Sequence, residues 1–134
     1  MSQIEYKIEP VVCDGDLNAL FSLAWQNHEP PKFSHVVTRS LTHVCAYDGP
    51  LLVGFVNVAW DGGIHGFILD TTVHPDYQRR GIGTELMTRA ADVAADRGLE
   101  WVHVDYEPHL AAFYQGCGYR KTEAGLLNLR CSVG

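Results

Sequence analysis

Along the first residues, apolar Ile4, Tyr6 and Ile8 alternate with charged Glu5 and Lys7, the period-two pattern of a strand with one buried face. After Asp14-Gly15-Asp16, a cluster suited to starting a helix, Leu17, Leu20, Phe21 and Ala24 fall on one helical face, predicting a first helix to about Trp25. His28-Glu29-Pro30-Pro31 must break it, and residues 33–39 are expected to form a short second helix. From Leu41 to Val73 the pattern becomes strand, turn, strand, turn, strand, with Asp48-Gly49 and Asp61-Gly62-Gly63 as turns: a β-meander.

Between Gly83 and Arg97, Leu86, Ala90, Val93 and Ala94 recur at helical spacing, and Gly98 is placed to stop the helix before a strand at residues 101–104. A strand, a glycine turn, a helix and a further strand form a βαβ unit, so its two strands should run parallel and the sheet should be mixed. Pro108 suits the first turn of a last helix carrying Leu110, Phe113, Tyr114 and Cys117 on one side, and Gly118 ends it. Residues 119–121 and 126–130 read as two final strands. The fold class predicted is α/β with an α+β mixed sheet: an antiparallel meander continuing into a βαβ unit with flanking helices.

The chain has 134 residues, 46% hydrophobic and 19% charged, a length and composition that predict one globular domain over residues 1–134. The first residues lack the basic and apolar regions of an export signal, and no apolar run is long enough to cross a bilayer, so a soluble, cytoplasmic protein is expected. Cys13, Cys45, Cys117 and Cys131 lie far apart without a Cys-x-x-Cys pair, which favours reduced structural thiols over disulfides or zinc. His28, His35, His43, His74 and His109 show no metal-ligand spacing, and no metal is expected. A formal net charge of -6 opposes nucleic acid and anionic membrane as partners, because both need a positive surface, and favours a cationic small molecule.

The chemistry concentrates at Gln78-Arg79-Arg80-Gly81-Ile82-Gly83-Thr84. A helix N-terminus exposes unpaired N–H groups and the positive end of the helix dipole. Glycines there let backbone approach phosphate oxygens and adopt positive φ angles, and Arg79 and Arg80 add charge. The segment is no P-loop, lacking Gly-Lys-Ser/Thr, and no dinucleotide fingerprint, lacking the third glycine. Taken alone, such a turn is more often a plain strand-to-helix connection.

Val73 to Met87 resembles the acetyl-CoA signature of the GNAT acetyltransferase superfamily, whose core is Gln/Arg-x-x-Gly-x-Gly/Ala, and Phe113-Tyr114-Gln115-Gly116-Cys117-Gly118-Tyr119 resembles its downstream Phe-Tyr-x-x-x-Gly-Phe/Tyr segment. The resemblance covers residues 64–120 well. It implies acetyl-CoA as cosubstrate, with the pyrophosphate on Gln78, Arg79, Arg80, Gly81, Ile82, Gly83 and Thr84. It also implies pantetheine along the preceding strand at Leu69 to Val73, including Thr71, Thr72 and above all Val73, with Phe113 and Tyr114 completing the cofactor site. The activity implied is acetyl transfer to a primary amine of a small, cationic substrate by direct attack in a ternary complex.

Such a transfer needs a neutral amine, a polarised thioester carbonyl and a proton for the departing thiolate. By the resemblance, Tyr114 is the general acid, the other reading being an aromatic that fills the helix's core face beside Phe113. A backbone N–H near Val73 polarises the carbonyl. Leu69 holds a place that is commonly acidic in the family. Asp70 is the nearest carboxylate and on a regular strand faces the other side, so only a bulge or an edge would redirect it. His103 and Asp105, sharing one strand face, can receive an ammonium group or relay its proton, and Glu107 stands where relatives often have asparagine. Trp25, Phe33 and His65 join Asp105 and Glu107 as substrate-site candidates, Trp25 being equally suited to the core. Polyamines, aminoglycoside-like amines and peptide amines all fit. The alternative readings are a non-catalytic acetyl-CoA sensor or regulatory module and, beyond that, an interaction domain; a homodimer through the C-terminal strands is a further expectation.

Overall fold

A computed structural model describes residues 3–25 and 33–130, so the expected break at His28–Pro31 and Cys131 lie outside the described residues. The chain divides into two compact units, Met1–Val104 and Asp105–Gly134. In the first, β1 (Ile4–Ile8), β2 (Thr42–Asp48), β3 (Leu51–Trp60), β4 (His65–Val73) and β5 (Trp101–His103) form one five-stranded sheet in chain order. The first four strands pair antiparallel, and β5 lies parallel to β4 with Phe67 opposite His103. The helices of this unit are α1 (Asp14–Ala24), α2 (Ser34–Arg39) and α3 (Ile82–Asp96). Short turns join β2, β3 and β4 as an antiparallel meander, and the α3 crossover is long enough to return the chain parallel to β4 in β5.

The register explains why β2 and β3 are apolar on both sides. Ala46 stands opposite Gly54 and packs toward α3, where a Cβ on Gly54 would fall 2.9 Å from Leu86 Cδ1 and 3.2 Å from Ile82 Cγ2. Cys45 stands opposite Phe55 and packs toward α1, in a cluster with Leu17, Leu20, Phe21, Phe33 and Leu52. Each fully buried aliphatic or aromatic side chain of this kind stabilises the fold by about 1.5–3 kcal/mol. The Asp14 carboxylate accepts from the Phe33 and Ser34 N–H groups at 2.8 and 2.9 Å, which fixes the start of α2 against the start of α1. Gly98, at φ 91°, ends α3 in the left-handed region that glycine enters without strain.

In the second unit, a single 3-10 turn (Pro108–Leu110) leads into α4 (Ala111–Gly116), and Gly118 at φ 97° closes it. The two final strands expected at 119–121 and 126–130 are absent: these residues hold no strand and join no described sheet. Leu126, Leu127 and Leu129 are 84%, 84% and 88% exposed. A strand is stabilised by backbone partners and cross-strand side chains, and Thr122-Glu123-Ala124-Gly125 offers neither alternation nor strand propensity to form them. The expected dimer edge disappears with these strands.

Cys13, Cys45 and Cys117 are free thiols, and burial pushes the Cys45 thiol up to about 12, leaving it protonated and inert. Among the described residues no three His, Cys, Asp or Glu side chains gather in a metal-binding group, and no helix is long and apolar enough to cross a membrane.

Candidate active site

β4 delivers the chain to the glycine turn. After Val73, the His74 N–H donates to the Val53 carbonyl at 2.8 Å, and residues Pro75–Tyr77 make one 3-10 turn. This turn is tied back to the sheet, since Tyr77 Oη donates to Asp48 Oδ2 at 2.6 Å and Gln78 Nε2 donates to the Val73 carbonyl at 3.2 Å. Arg79 and Gly81 take positive φ values of 64° and 80°, which bend the chain sharply into α3. A Cβ at Gly81 would meet no atom within 4 Å, so glycine supplies conformation there and not space.

α3 then opens with no side chain capping it. The Glu85 N–H is the first to reach back, to the Gly81 carbonyl at 3.0 Å, leaving the N–H groups of Ile82, Gly83 and Thr84 without intrahelical acceptors. Ile82 is buried and anchors the helix end, whereas Arg79, Arg80, Gly81 and Thr84 are exposed; Arg80 lies 5.0 Å from the Tyr77 ring centre. An anion-sized cradle of free N–H groups beside two arginines is what a pyrophosphate requires, and the residues present fit one.

The bulge on which Asp70 depended is present. Phe55 pairs with Thr72 and Asn57 with Leu69, so Val56 faces two residues, Asp70 and Thr71. Asp70 takes φ 60°, a left-handed conformation that aspartate tolerates better than most residues. The Asp70 carbonyl accepts from Thr72 Oγ1 at 2.9 Å, and Thr71 Oγ1 reaches Met87 Sδ on α3 at 3.8 Å. Burial pushes the Asp70 carboxyl above the usual carboxylate range, and the neighbouring Asn57 side chain holds it down only in part. Asn57 itself is fully buried, and neither its Oδ1 nor its Nδ2 has a close hydrogen-bond partner.

Asn57 lines an open groove of about 390 Å³. His35, Val36 and Arg39 of α2, with Ser40 after it, form one wall; Asn57, Ala59, Trp60 and Leu69 of the sheet form the other. The sequence did not single out Asn57 or Arg39, yet a lone amide inside the apolar run Leu51–Trp60 was the available signal.

Other candidates fall differently. His65 Nδ1 and His103 Nε2 lie 2.9 Å apart across β4 and β5, and Phe67 stacks on His103 at 4.9 Å, so these two histidines form a hydrogen-bonded pair. β5 ends at His103, so Asp105 is not on its face as expected but in the second unit, where it is exposed. Glu107 is also exposed and lies 3.7 Å from His109 Nδ1. Phe33 is 7% exposed and meets Phe21 edge-on at 4.7 Å, so it packs the α1 core, and Trp25, half-buried, stacks on Phe21 at 4.1 Å against that core. Tyr114 is buried within α4, stacked on Tyr106 at 4.9 Å and edge-on to Phe113 and Tyr119 at 4.9 and 6.2 Å.

The model of the acetyltransferase (GNAT) family matches residues 14–119 and so runs across both units. The chain is 31% identical over 104 residues to an uncharacterized N-acetyltransferase ycf52-like protein of Prochlorococcus marinus, covering 75% of this chain and 58% of that one. It thus spans little more than half the length of that curated relative. A GNAT-family acetyltransferase structure from Streptococcus pneumoniae TIGR4 superposes with a TM-score of 0.78 at 26% identity, over 95% of this chain and 99% of that one. The aminoglycoside N-acetyltransferase AAC(6')-Iy, solved in complex with CoA, shares the fold with a TM-score of 0.71 at 18% identity, over 98% of this chain and 97% of that one. The chain therefore belongs to the acetyltransferase (GNAT) family, for which acetyl-CoA is the cosubstrate.

Proposed function

We propose that this protein is an acetyl-CoA-dependent N-acetyltransferase acting on a small primary amine, with residues 1–134 working as one domain. The observation that carries the reading is the glycine-opened, uncapped start of α3, directly following a strand whose bulge presents Asp70. Acetyl-CoA supplies the acetyl group as an activated thioester. Gln78 to Thr84 hold its pyrophosphate on free N–H groups and the Arg79 and Arg80 charges, and Thr71, Thr72 and Val73 align its pantetheine arm along β4. A backbone N–H near Val73 polarises the thioester carbonyl.

The amine enters as an ammonium ion, which the net charge of -6 favours, and must lose a proton before it can attack. Asp70 takes that proton; a carboxyl raised by burial is a stronger base than an exposed aspartate. The hydrogen-bonded His65 and His103 pair offers an alternative relay. As the nitrogen–carbon bond forms and the carbon–sulfur bond breaks, the thiolate takes a proton, which the family resemblance assigns to Tyr114, with Phe113 beside it. Asp105 and Glu107 contribute negative charge that attracts amines.

A cytoplasmic setting without nucleic-acid or membrane partners belongs to the same reading. A second reading, an acetyl-CoA-binding regulatory module, draws on Leu69, 40% exposed at a position that is commonly acidic in the family. Calorimetric titration with acetyl-CoA, against ATP and NAD, tests the cradle; micromolar binding of acetyl-CoA alone is the expected result, and no binding overturns the reading. Thiol release over an amine panel then separates enzyme from sensor.

A further inference from the structure

The groove beside α2 combines features that select a kind of amine. Its sheet wall is apolar, with Trp60 and Leu69 41% and 40% exposed although both are large, and Val36 on the α2 wall is 39% exposed. Burying apolar surface of this kind on a ligand is favourable, and a groove of about 390 Å³ lies within the range of small-molecule sites. At its base Asn57 is fully buried, with no close hydrogen-bond partner at either side-chain polar atom and the Asp70 carboxyl as its neighbour. An amide held so loosely gains up to about one hydrogen bond's worth of stabilisation from a ligand group that closes on it. Arg39 brings positive charge to the groove, its guanidinium spending one contact on the His35 carbonyl at 3.4 Å, and no carboxylate is among the described lining residues.

We infer that the acceptor is a zwitterionic apolar amine, with its nitrogen at the Asn57 end, a hydrophobic body over Val36, Ala59, Trp60 and Leu69, and an anionic group at Arg39. This rests on the acetyltransferase reading of the site and narrows it to a substrate class. Amino acids with large apolar side chains and short peptides have this pattern; polyamines do not, since a second ammonium group would meet Arg39. The negative charge of the whole chain still draws the amine end, while Arg39 selects at the other.

The test uses the full chain and three probes: phenylalanylglycine, its C-terminal amide, and spermidine. Binding of each is followed by saturation-transfer NMR without cosubstrate, and turnover by thiol release with acetyl-CoA. The dipeptide should bind and be acetylated about fivefold better than its amide, as a partly exposed charge-assisted contact allows, and at least about tenfold better than spermidine. In Arg39→Gln the ratio of dipeptide to amide should fall toward one, with the thermal melt unchanged because Arg39 is exposed. Spermidine preferred, no dipeptide binding, or an unchanged ratio in Arg39→Gln would each overturn the inference. Absent acetyl-CoA binding would instead strike the cofactor reading, while the amine measurements still judge the groove.

Discussion

On the α3 side of the sheet, Gly54 and Gly66 leave so little room that a Cβ at Gly66 would lie 2.5 Å from Leu99 Cδ1, and Ile82, Leu86 and Ala90 close the layer with no exposed surface to spare. On the opposite side, α1 and Phe33 cover Cys45 and Phe55, but toward β4 the cover by described residues stops, and Phe67 and Leu69 stay about two-fifths exposed near a buried Asn57 without a close hydrogen bond. One face of the same strands serves stability and the other is left unfinished. In the proposed reading the incomplete face is where a ligand completes the packing, and the completed face holds the strands and the α3 start in register for it.

Substitutions on the two faces should therefore separate stability from activity. Leu86→Ala, at a fully buried site facing the sheet, should lower unfolding free energy by about 3 kcal/mol, read by denaturant titration, with residual activity in the folded fraction. Next in size, Asp70→Asn keeps a residue that tolerates left-handed backbone and should reduce kcat/KM about a hundredfold, equivalent to roughly 2.7 kcal/mol of barrier. Burial raises the Asp70 pKa in the fold, so its favourable contribution to stability exists below the unfolded value and is lost as pH rises through the folded one. Asp70→Asn should thus not destabilise the protein at neutral pH, and the acid limb of the wild-type pH–rate profile should fall above the ordinary carboxylate range.

Gly81→Ala places a Cβ in open space but at φ 80°, and calorimetry should show acetyl-CoA affinity reduced about tenfold, near 1.4 kcal/mol, as the N–H groups tilt away. The smallest effect belongs to the open face: Leu69→Thr should change stability by no more than about 0.5 kcal/mol in the same denaturant titration. A large loss there would mean that the face is structurally complete after all.

The sequence carried the element order from Ile4 to Gly118 because hydrophobic period and glycine placement are local signals: α3 begins at Ile82 and ends before Gly98 as its pattern required. Three things were beyond it. The bulge at Asp70 is a property of the pairing between β3 and β4, and alternation along one strand states only the condition for it. The His65 and His103 contact depends on the parallel register that sets Phe67 opposite His103, which neither strand encodes alone. The apolar residues after Tyr119 read as strands because apolar runs do not reveal whether a neighbour exists to pair with them. Trp25 and Phe33 mark a different confusion, since an aromatic that packs α1 and one that would pack a substrate look identical in sequence.

The extra residue in β4 also constrains how the gene can change length. Removing one codon at Asp70 or Thr71 would restore an unbroken ladder with β3 and could even strengthen the pairing. It would also pull everything from Thr72 onward, including the cradle at Gly81, one position out of phase with the half of the strand that borders the groove. A slightly more regular sheet would then carry two half-sites that no longer meet, so deletions in this strand should be far scarcer among working variants than insertions in the turns on either side of it.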